Sequence, residues 1–454
     1  MENKRENLKI EKMVNTGLGL AKADEKAVFV EDVVTGDVVD VQIITSCKSY
    51  EKAMLTCLKA SSEYRVEPFC KMANVCGGCS WQHIKYSYQL EAKRQIVKEC
   101  LDKIAGINTE VCPVIASPQT QNYRAKIQYP IGQTKVSKRI LAGYYKKNTH
   151  EIINIKHCPI QPSIIDEVTE FLRSEAQNLN IPAYNEKKHK GTLRHFVFRY
   201  SASSAKVLLT IVVNDYKLRD NIKKLAQNVS QKFNQIEGVI INYNTQKTNK
   251  ILGASSKLVI GEDSIIEKID NIRYRISAES FFQINIPTAK NILQKIKRTI
   301  NELYPDKCAR VLDAYSGVGM FGIYLSDSVK KVIAIEECHR AVLDAKRNLK
   351  LNKISNVELI EGDVKKAFKE LLSKKEKFNV VIIDPPRKGC ELTVLKDIAE
   401  LSQKHIIYLS CNPSTLARDM KELVSIGFEP KFVQPFDMFC HTPHIETLVL
   451  FEKK

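Results

Sequence analysis

Residues 404–414, KHIIYLSCNPS, join a short apolar run to a thiol and a proline. The run 405–409 reads as a buried strand, and Pro413 cannot continue a ladder, so Cys411 is expected at the strand's carboxyl end. In an open α/β sheet that end is where ligands bind, and a thiolate there can attack an electron-poor carbon. A lone cysteine is more often a small apolar core residue, so the case rests on what accompanies it. The run Asp313-Ala314-Tyr315-Ser316-Gly317-Val318-Gly319-Met320-Phe321-Gly322 closes a strand with a glycine turn that lets a nucleotide approach the backbone. Glu336, 23 residues after Asp313, ends the next strand and is placed to take two ribose hydroxyls. Asp363 and Asp384 end further strands. Only Gly317 and Gly319 match the dinucleotide fingerprint, with Gly322 at the wrong offset. Together with three successive strand-end acids, this favours S-adenosylmethionine over a nicotinamide dinucleotide.

Asp384-Pro385-Pro386 also occurs in amino-group methyltransferases, usually before an aromatic residue that stacks the base. Here Arg387 follows, which argues against methylation of an exocyclic nitrogen. Cys411 supplies another use for the loop. Uracil C5 is too weak a nucleophile to attack a methyl sulfonium, but a thiolate added at C6 makes C5 enolate-like. A base must then remove the C5 proton so that the thiol leaves by β-elimination. Glu446, in His444-Ile445-Glu446-Thr447, is the best-placed candidate.

A second group of residues has metal-ligand spacing. Cys70, Cys76 and Cys79 follow C-x5-C-x2-C, with Gly77 and Gly78 free to fold around an ion, and Cys158 is a candidate fourth ligand. Four thiolates suit tetrahedral zinc or a [4Fe–4S] cluster, and spacing alone does not choose.

The elements that must position these groups are legible in outline. Residues 1–61 hold short β-rich runs (27–30, 38–44, 52–58) between Gly- and Asp-containing turns, as in a small OB-like barrel. Residues 86–104 read as a basic amphipathic helix ending near Gly106, able to pack on the catalytic domain. The middle of the chain, to about 285, mixes strand and helix and carries basic clusters at 123–126, 135–139, 144–147 and 187–190. Tyrosines interleaved with lysines can stack bases while the charges hold phosphates, although any one cluster is more simply a solvated face. From 286 the pattern alternates helix and strand, giving a doubly wound, mostly parallel sheet. The expected domains are therefore 1–61, 62–285 and 286–454.

Composition narrows the setting. A net charge of +18 points to a polyanionic partner. No apolar run approaches the roughly 18 residues of a membrane span. The charged start MENKRENLKIEK lacks a signal core, so we expect a cytoplasmic protein whose 13 cysteines stay mostly reduced.

Taken together, these motifs resemble the RNA (uracil-5-)-methyltransferase family almost end to end. The matching features are a TRAM-like barrel at 1–61, the four cysteines and Ser280-Phe281-Phe282-Gln283-Ile284-Asn285. The glycine turn, Asp384-Pro385-Pro386-Arg387-Lys388-Gly389, Ser410-Cys411-Asn412-Pro413 and His444-Ile445-Glu446 complete them. The resemblance implies a Rossmann-like methyltransferase domain, Cys411 as nucleophile and Glu446 as general base. It further implies Gln283, Tyr315, Glu336, Asp363 and Asp384 around S-adenosylmethionine, and a [4Fe–4S] cluster on Cys70, Cys76, Cys79 and Cys158. Two positions depart from the family pattern. Met320 stands where relatives often carry a polar residue, and Ala125 interrupts Tyr-Arg-Asn-Lys. By analogy the substrate is RNA, 23S ribosomal RNA first and transfer RNA (uridine 54) second, acted on by a monomer. Two other readings compete: a 5-methylcytidine methyltransferase, which would be expected to carry a Pro-Cys motif, and a non-catalytic RNA-binding factor on the same fold.

Overall fold

The structure is a computed structural model describing residues 4–454. The chain forms two compact units, neither of them a single stretch. The first comprises Met1–Asn74, Cys79–Pro118 and Phe368–Lys454; the second comprises Val75–Gly78 and Gln119–Ala367.

The first unit begins with six strands. In spatial order they are Lys4–Lys9, Val38–Ser46, Tyr50–Ala60, Lys26–Val30, Gly19–Ala23 and Lys12–Met13. The alternation Val39, Val41, Ile43 turns one face of the second strand inward onto Leu8, Val28, Val30 and Ala53. No pairing among the described residues closes this sheet into a ring, so the expected barrel is found as a six-stranded open-order sheet. A separate apolar cluster of Met13, Val34, Trp81, Ile84, Ala92 and Ile96 binds the sheet to the helix Tyr86–Cys100. That helix runs on as a π-turn, Leu101–Ala105, and stops at Gly106, whose φ of 69° is left-handed. The carboxyl end of the chain adds the strands Phe378–Ile383, Ser402–Ser410, Glu446–Lys453 and Phe428–Phe436, neighbours in that order. The first pair is parallel and the next two antiparallel, so the expected mostly parallel sheet turns antiparallel at its end.

The second unit holds another six-stranded sheet, in the order Ser255–Gly261, Ile236–Tyr243, Lys206–Val213, Leu193–Ser201, Lys126–Gln133, Ile140–Ala142. Its central strands are nearly continuous apolar runs because the helices Ser163–Asn178 and Arg219–Lys232 accompany them. The unit ends in three parallel strands, Val357–Glu361, Lys331–Glu336 and Arg310–Ala314, with the intervening helices Met320–Leu325 and His339–Leu351. The domain limits expected at 61 and 285 fall inside these units, because residues 62–118 belong mainly with the carboxyl-terminal strands. No helix among the described residues is long and apolar enough to cross a membrane.

Candidate active site

Cys411 follows directly on the strand Ser402–Ser410 and precedes the helix Pro413–Ser425. Asn412 caps that helix: its backbone is extended and its Oδ1 accepts from the Ser414 N–H at 3.1 Å. Pro413 fits the first helical position, where no N–H is required. Ser410 lies opposite Thr447 in the antiparallel ladder with Glu446–Lys453. Cys411 and Glu446 flank that pair, each the next residue outward on its own chain, and the charge of Glu446 acts on the Cys411 thiol. This register is what brings a thiol and a carboxyl 35 residues apart in sequence into one site.

The loop after Asp384 is strapped to the same helix. Asn412 Nδ2 and Thr415 Oγ1 both donate to the Arg387 carbonyl, each at 3.2 Å. Arg418 donates to the carbonyls of Lys388 (2.9 Å) and Cys390 (3.0 Å), while Asp419 Oδ2 accepts from the Cys390 N–H at 2.7 Å and from the Tyr408 hydroxyl at 2.6 Å. Gly389 makes this approach possible: its φ is 72°, and a Cβ there would lie 2.5 Å from Asp419 Oδ2.

These contacts set the electrostatics. Burial, then the charges of Glu446 and Asp384, push the Cys411 thiol up to about 11, and Arg387 opposes them. Burial pushes Asp384 up to about 7, although the residue as a whole keeps some exposure. Glu446 is raised well above the usual carboxylate range, first by burial and then by Asp384, again against Arg387. It is only 4% exposed, and its Oε2 has no hydrogen-bond partner. A buried, unsatisfied carboxyl is a costly arrangement that core packing alone does not explain. Once ionised, such a carboxyl is a stronger proton acceptor than one in water.

The segment leading to Glu446 is held from the helix Tyr86–Cys100. Lys93 Nζ pairs with Asp437 Oδ1 at 2.5 Å, both side chains fully buried, and donates to the Phe439 carbonyl at 3.1 Å. The Tyr86 hydroxyl donates to Asp437 Oδ2 at 2.8 Å, and Gln89 Oε1 accepts from the His441 N–H at 3.1 Å. Sequence reasoning missed Lys93 and Asp437. Gln89 and Lys93 lie four apart on the face that also buries Ala92 and Ile96, a polar pair on an apolar stripe that could have flagged them. Arg387 was noted for not being aromatic, but its charge beside Cys411 and Glu446 was not foreseen.

The second unit carries the residues expected around S-adenosylmethionine, Asp384 excepted. Tyr315 (φ 64°), Gly317 (φ 56°) and Gly319 (φ 82°) are left-handed, which turns the chain sharply off the strand Arg310–Ala314. Glu336 Oε2 accepts from the Gly317 N–H and Oε1 from the Cys338 N–H, both at 2.8 Å. The carboxylate is thereby fixed with lone pairs to spare for two hydroxyls. Asp363 ends the neighbouring strand and Oδ1 accepts from the Lys366 N–H at 3.1 Å. Ser316 Oγ, in the turn itself, is buried without a partner. Two strand-end carboxylates, a glycine turn and an orphaned hydroxyl fit the ribose and amino-acid ends of S-adenosylmethionine. Gln283 is buried, in the motif that starts the helix Ile286–Leu303, and Asn285 caps that helix at Thr288 N–H. The backbone at Ala125 donates to the Ile284 carbonyl at 2.7 Å, so the position that departs from the family pattern serves through its main chain. Met320 is buried and its carbonyl accepts from the Tyr274 hydroxyl at 3.0 Å.

The cysteine motif meets a different outcome. Cys70 and Cys79 belong to the first unit and Cys76 and Cys158 to the second. Among the described residues no three His, Cys, Asp or Glu side chains are grouped so as to hold a metal ion. The [4Fe–4S] expectation thus finds no support among the described residues. Cys76 Sγ accepts from the Gly78 N–H at 3.4 Å, and the main-chain N–H of Cys158 donates to Asp166.

Comparison with known proteins shows the family. The model of a family described as tRNA (Uracil-5-)-methyltransferase matches residues 85–454. An uncharacterized RNA methyltransferase of Clostridium tetani is 37% identical over 99% of this chain and 96% of its own length. One of Clostridium acetobutylicum is 38% identical over 97% of this chain and 95% of its own. Among solved structures, the tRNA (uracil-54, C5)-methyltransferase of Pyrococcus abyssi in complex with S-adenosyl-L-homocysteine superposes with a TM-score of 0.78. It is 29% identical and covers 98% of this chain and 99% of its own.

Proposed function

We infer the reaction from the premise that this chain belongs to the tRNA (uracil-5-)-methyltransferase family, a family of RNA methyltransferases with a mixed α/β fold. The reaction is methylation of a uridine at C5 in RNA, with S-adenosylmethionine as methyl donor. The observation that carries it is the Ser410–Thr447 pair, which Cys411 and Glu446 flank, with the Glu446 Oε2 buried and unpartnered and its charge acting on the thiol.

When bound, S-adenosylmethionine supplies an electrophilic methyl group. Glu336, Asp363, the turn at 315–319 and Gln283 hold it. Cys411, as thiolate, adds to C6 of the uracil, and the electron pair displaced onto C5 would take up the methyl group, the S–CH3 bonding pair staying on sulfur as S-adenosyl-L-homocysteine leaves. Glu446 then removes the C5 proton, the C5–C6 double bond re-forms, and the Cys411 sulfur leaves with the bonding pair. Arg387 favours the ionised forms of both groups, while Asp384 works against them. Burial and the neighbouring carboxyls raise the thiol to about 11, so the thiol form dominates at neutral pH. The cysteine quartet stands outside this mechanism, since methyl transfer needs no electron.

The substrate reading is large-subunit ribosomal RNA, with the amino-terminal sheet acting as a TRAM-like RNA-binding element. Transfer RNA is the second reading, favoured by the Pyrococcus structure, whose substrate is uracil 54 of tRNA. The test is transfer of labelled methyl from S-adenosylmethionine to total unmodified RNA, comparing the parent with Cys411→Ala. Label on C5 of one uridine, absent with the variant, supports the reading, and mass mapping tells which RNA carries it. No label with either protein, despite RNA binding, overturns it.

A further inference from the structure

Four stretches that are apart in sequence converge on one cavity of the second unit. The cavity has a volume of about 970 Å³ and opens at one end of the six-stranded sheet. It is built from the turn after Lys126–Gln133, residues 144–152, the loop before Leu193–Ser201 and the loop after Ile236–Tyr243. All of these lie in one unit, and none holds the residues assigned to the methyl-transfer reaction.

Its walls combine flat surfaces and cations. The Arg194 guanidinium lies 4.4 Å from the centre of the Tyr184 ring. It is fixed there by donating to the carbonyls of Asn244 (2.6 Å) and Gln246 (2.8 Å), while its Nε is buried without a partner. Tyr145 and His150 pack their rings 5.5 Å apart, and Tyr145 is 38% exposed. His195 lines the cavity, and its Nδ1 is buried with no hydrogen bond. Burial and the neighbouring Arg194 push it down to about 4, so it is a neutral ring. Lys135, Lys187 and Lys250 stand exposed around the cavity, against the acids Glu151 and Glu186.

We propose that this cavity is a second RNA subsite, which stacks an unpaired base of the substrate other than the target uridine. The inference rests on the reading of the substrate as RNA. Every base has a face that can lie on Tyr145 or on the Tyr184–Arg194 pair, so stacking suits the walls. The exposed lysines Lys135, Lys187 and Lys250 reach phosphates on either side of such a base. The size lies at the upper end of the roughly 300–1,000 Å³ of small-ligand pockets, enough for more than one nucleotide. A solvated basic face would need neither the concave wall nor the paired rings.

The experiment uses the full chain and a fluorescent fragment of the RNA that it methylates, with 4-thiouridine in its unpaired positions. Tyr145→Ala should weaken binding by about tenfold, as loss of one stacked base does, and Tyr145→Trp should restore it. Lys187→Ala and Lys250→Ala should each lower the salt slope of log affinity by about 0.7. Ultraviolet crosslinking should attach one unpaired nucleotide to a peptide containing Tyr145 or Tyr184. Parental affinity in Tyr145→Ala, with crosslinks only elsewhere, overturns the proposal. The two readings fail separately. Crosslinking to this peptide without methyl transfer keeps the subsite and removes the reaction; methyl transfer with unaltered binding in all three variants keeps the reaction and removes the subsite.

Discussion

At the level of single residues, the site is an argument between burial and charge. Cys411 is raised to about 11 by burial and two carboxyls, so its alkylation by iodoacetamide should be slow at neutral pH and climb as the solution approaches that value. Glu446→Gln removes a charge that the parent carries only once its buried carboxyl has ionised, so it should speed alkylation at alkaline pH and leave it little changed where Glu446 keeps its proton. An unchanged rate at alkaline pH would mean that Glu446 does not act on the thiol. The same variant separates the two halves of the reaction: with no base for the C5 proton, methyl transfer should slow by about 10²–10⁴. The protein–RNA adduct should also persist on a denaturing gel. Stability should move the other way. Folded Glu446 keeps its proton over a pH range in which the unfolded chain has lost it, so the parent loses stability as pH rises through that range. Glu446→Gln should therefore be the more stable protein at neutral pH, by roughly 1–2 kcal/mol, with the gap closing towards pH 4. Thermal midpoints at the two pH values check the sign.

At the level of elements, the site depends on two straps. One ties the loop 385–390 to the helix Pro413–Ser425 and requires Gly389, whose Cβ would collide with Asp419. Gly389→Ala should cost about 1–3 kcal/mol in chemical denaturation, from left-handed backbone and the displaced carboxylate together. The other strap is the buried pair Lys93–Asp437, which fixes the approach to Glu446. Asp437→Asn strands a buried ammonium and should destabilise by roughly 3–5 kcal/mol. Replacing both residues by apolar ones of similar volume should recover most of it, while methyl transfer stays impaired if the pair aims Glu446. Full activity in a refolded double variant would show that the pair serves stability alone.

At the level of the molecule, the charge of +18 has a measurable consequence: RNA binding should weaken linearly in log–log terms with salt, for specific and unrelated RNA alike. Much of the design was legible beforehand. Strand-ending residues Glu336, Asp363 and Asp384, the glycine turn, and Cys411 beside Pro413 follow from local rules of turns, caps and apolar runs, which act over a few residues. The strand Phe428–Phe436 was missed, because Pro430 and Pro435 disguise an edge strand that needs few ladder donors. The helix Leu392–Leu401 was overlooked as well. The metal-ligand spacing of the cysteines finds no support among the described residues, and spacing along the chain says nothing of which unit each thiol joins. Residue types, their order and their chemistry were thus determined by sequence alone. The register by which Cys411 and Glu446 flank the Ser410–Thr447 pair, the burial that shifts their protons, the Lys93–Asp437 strap and the convergence of four stretches on one cavity were decided only by the tertiary structure. Each depends on ladder register or on packing between segments tens to hundreds of residues apart, and no local preference encodes either.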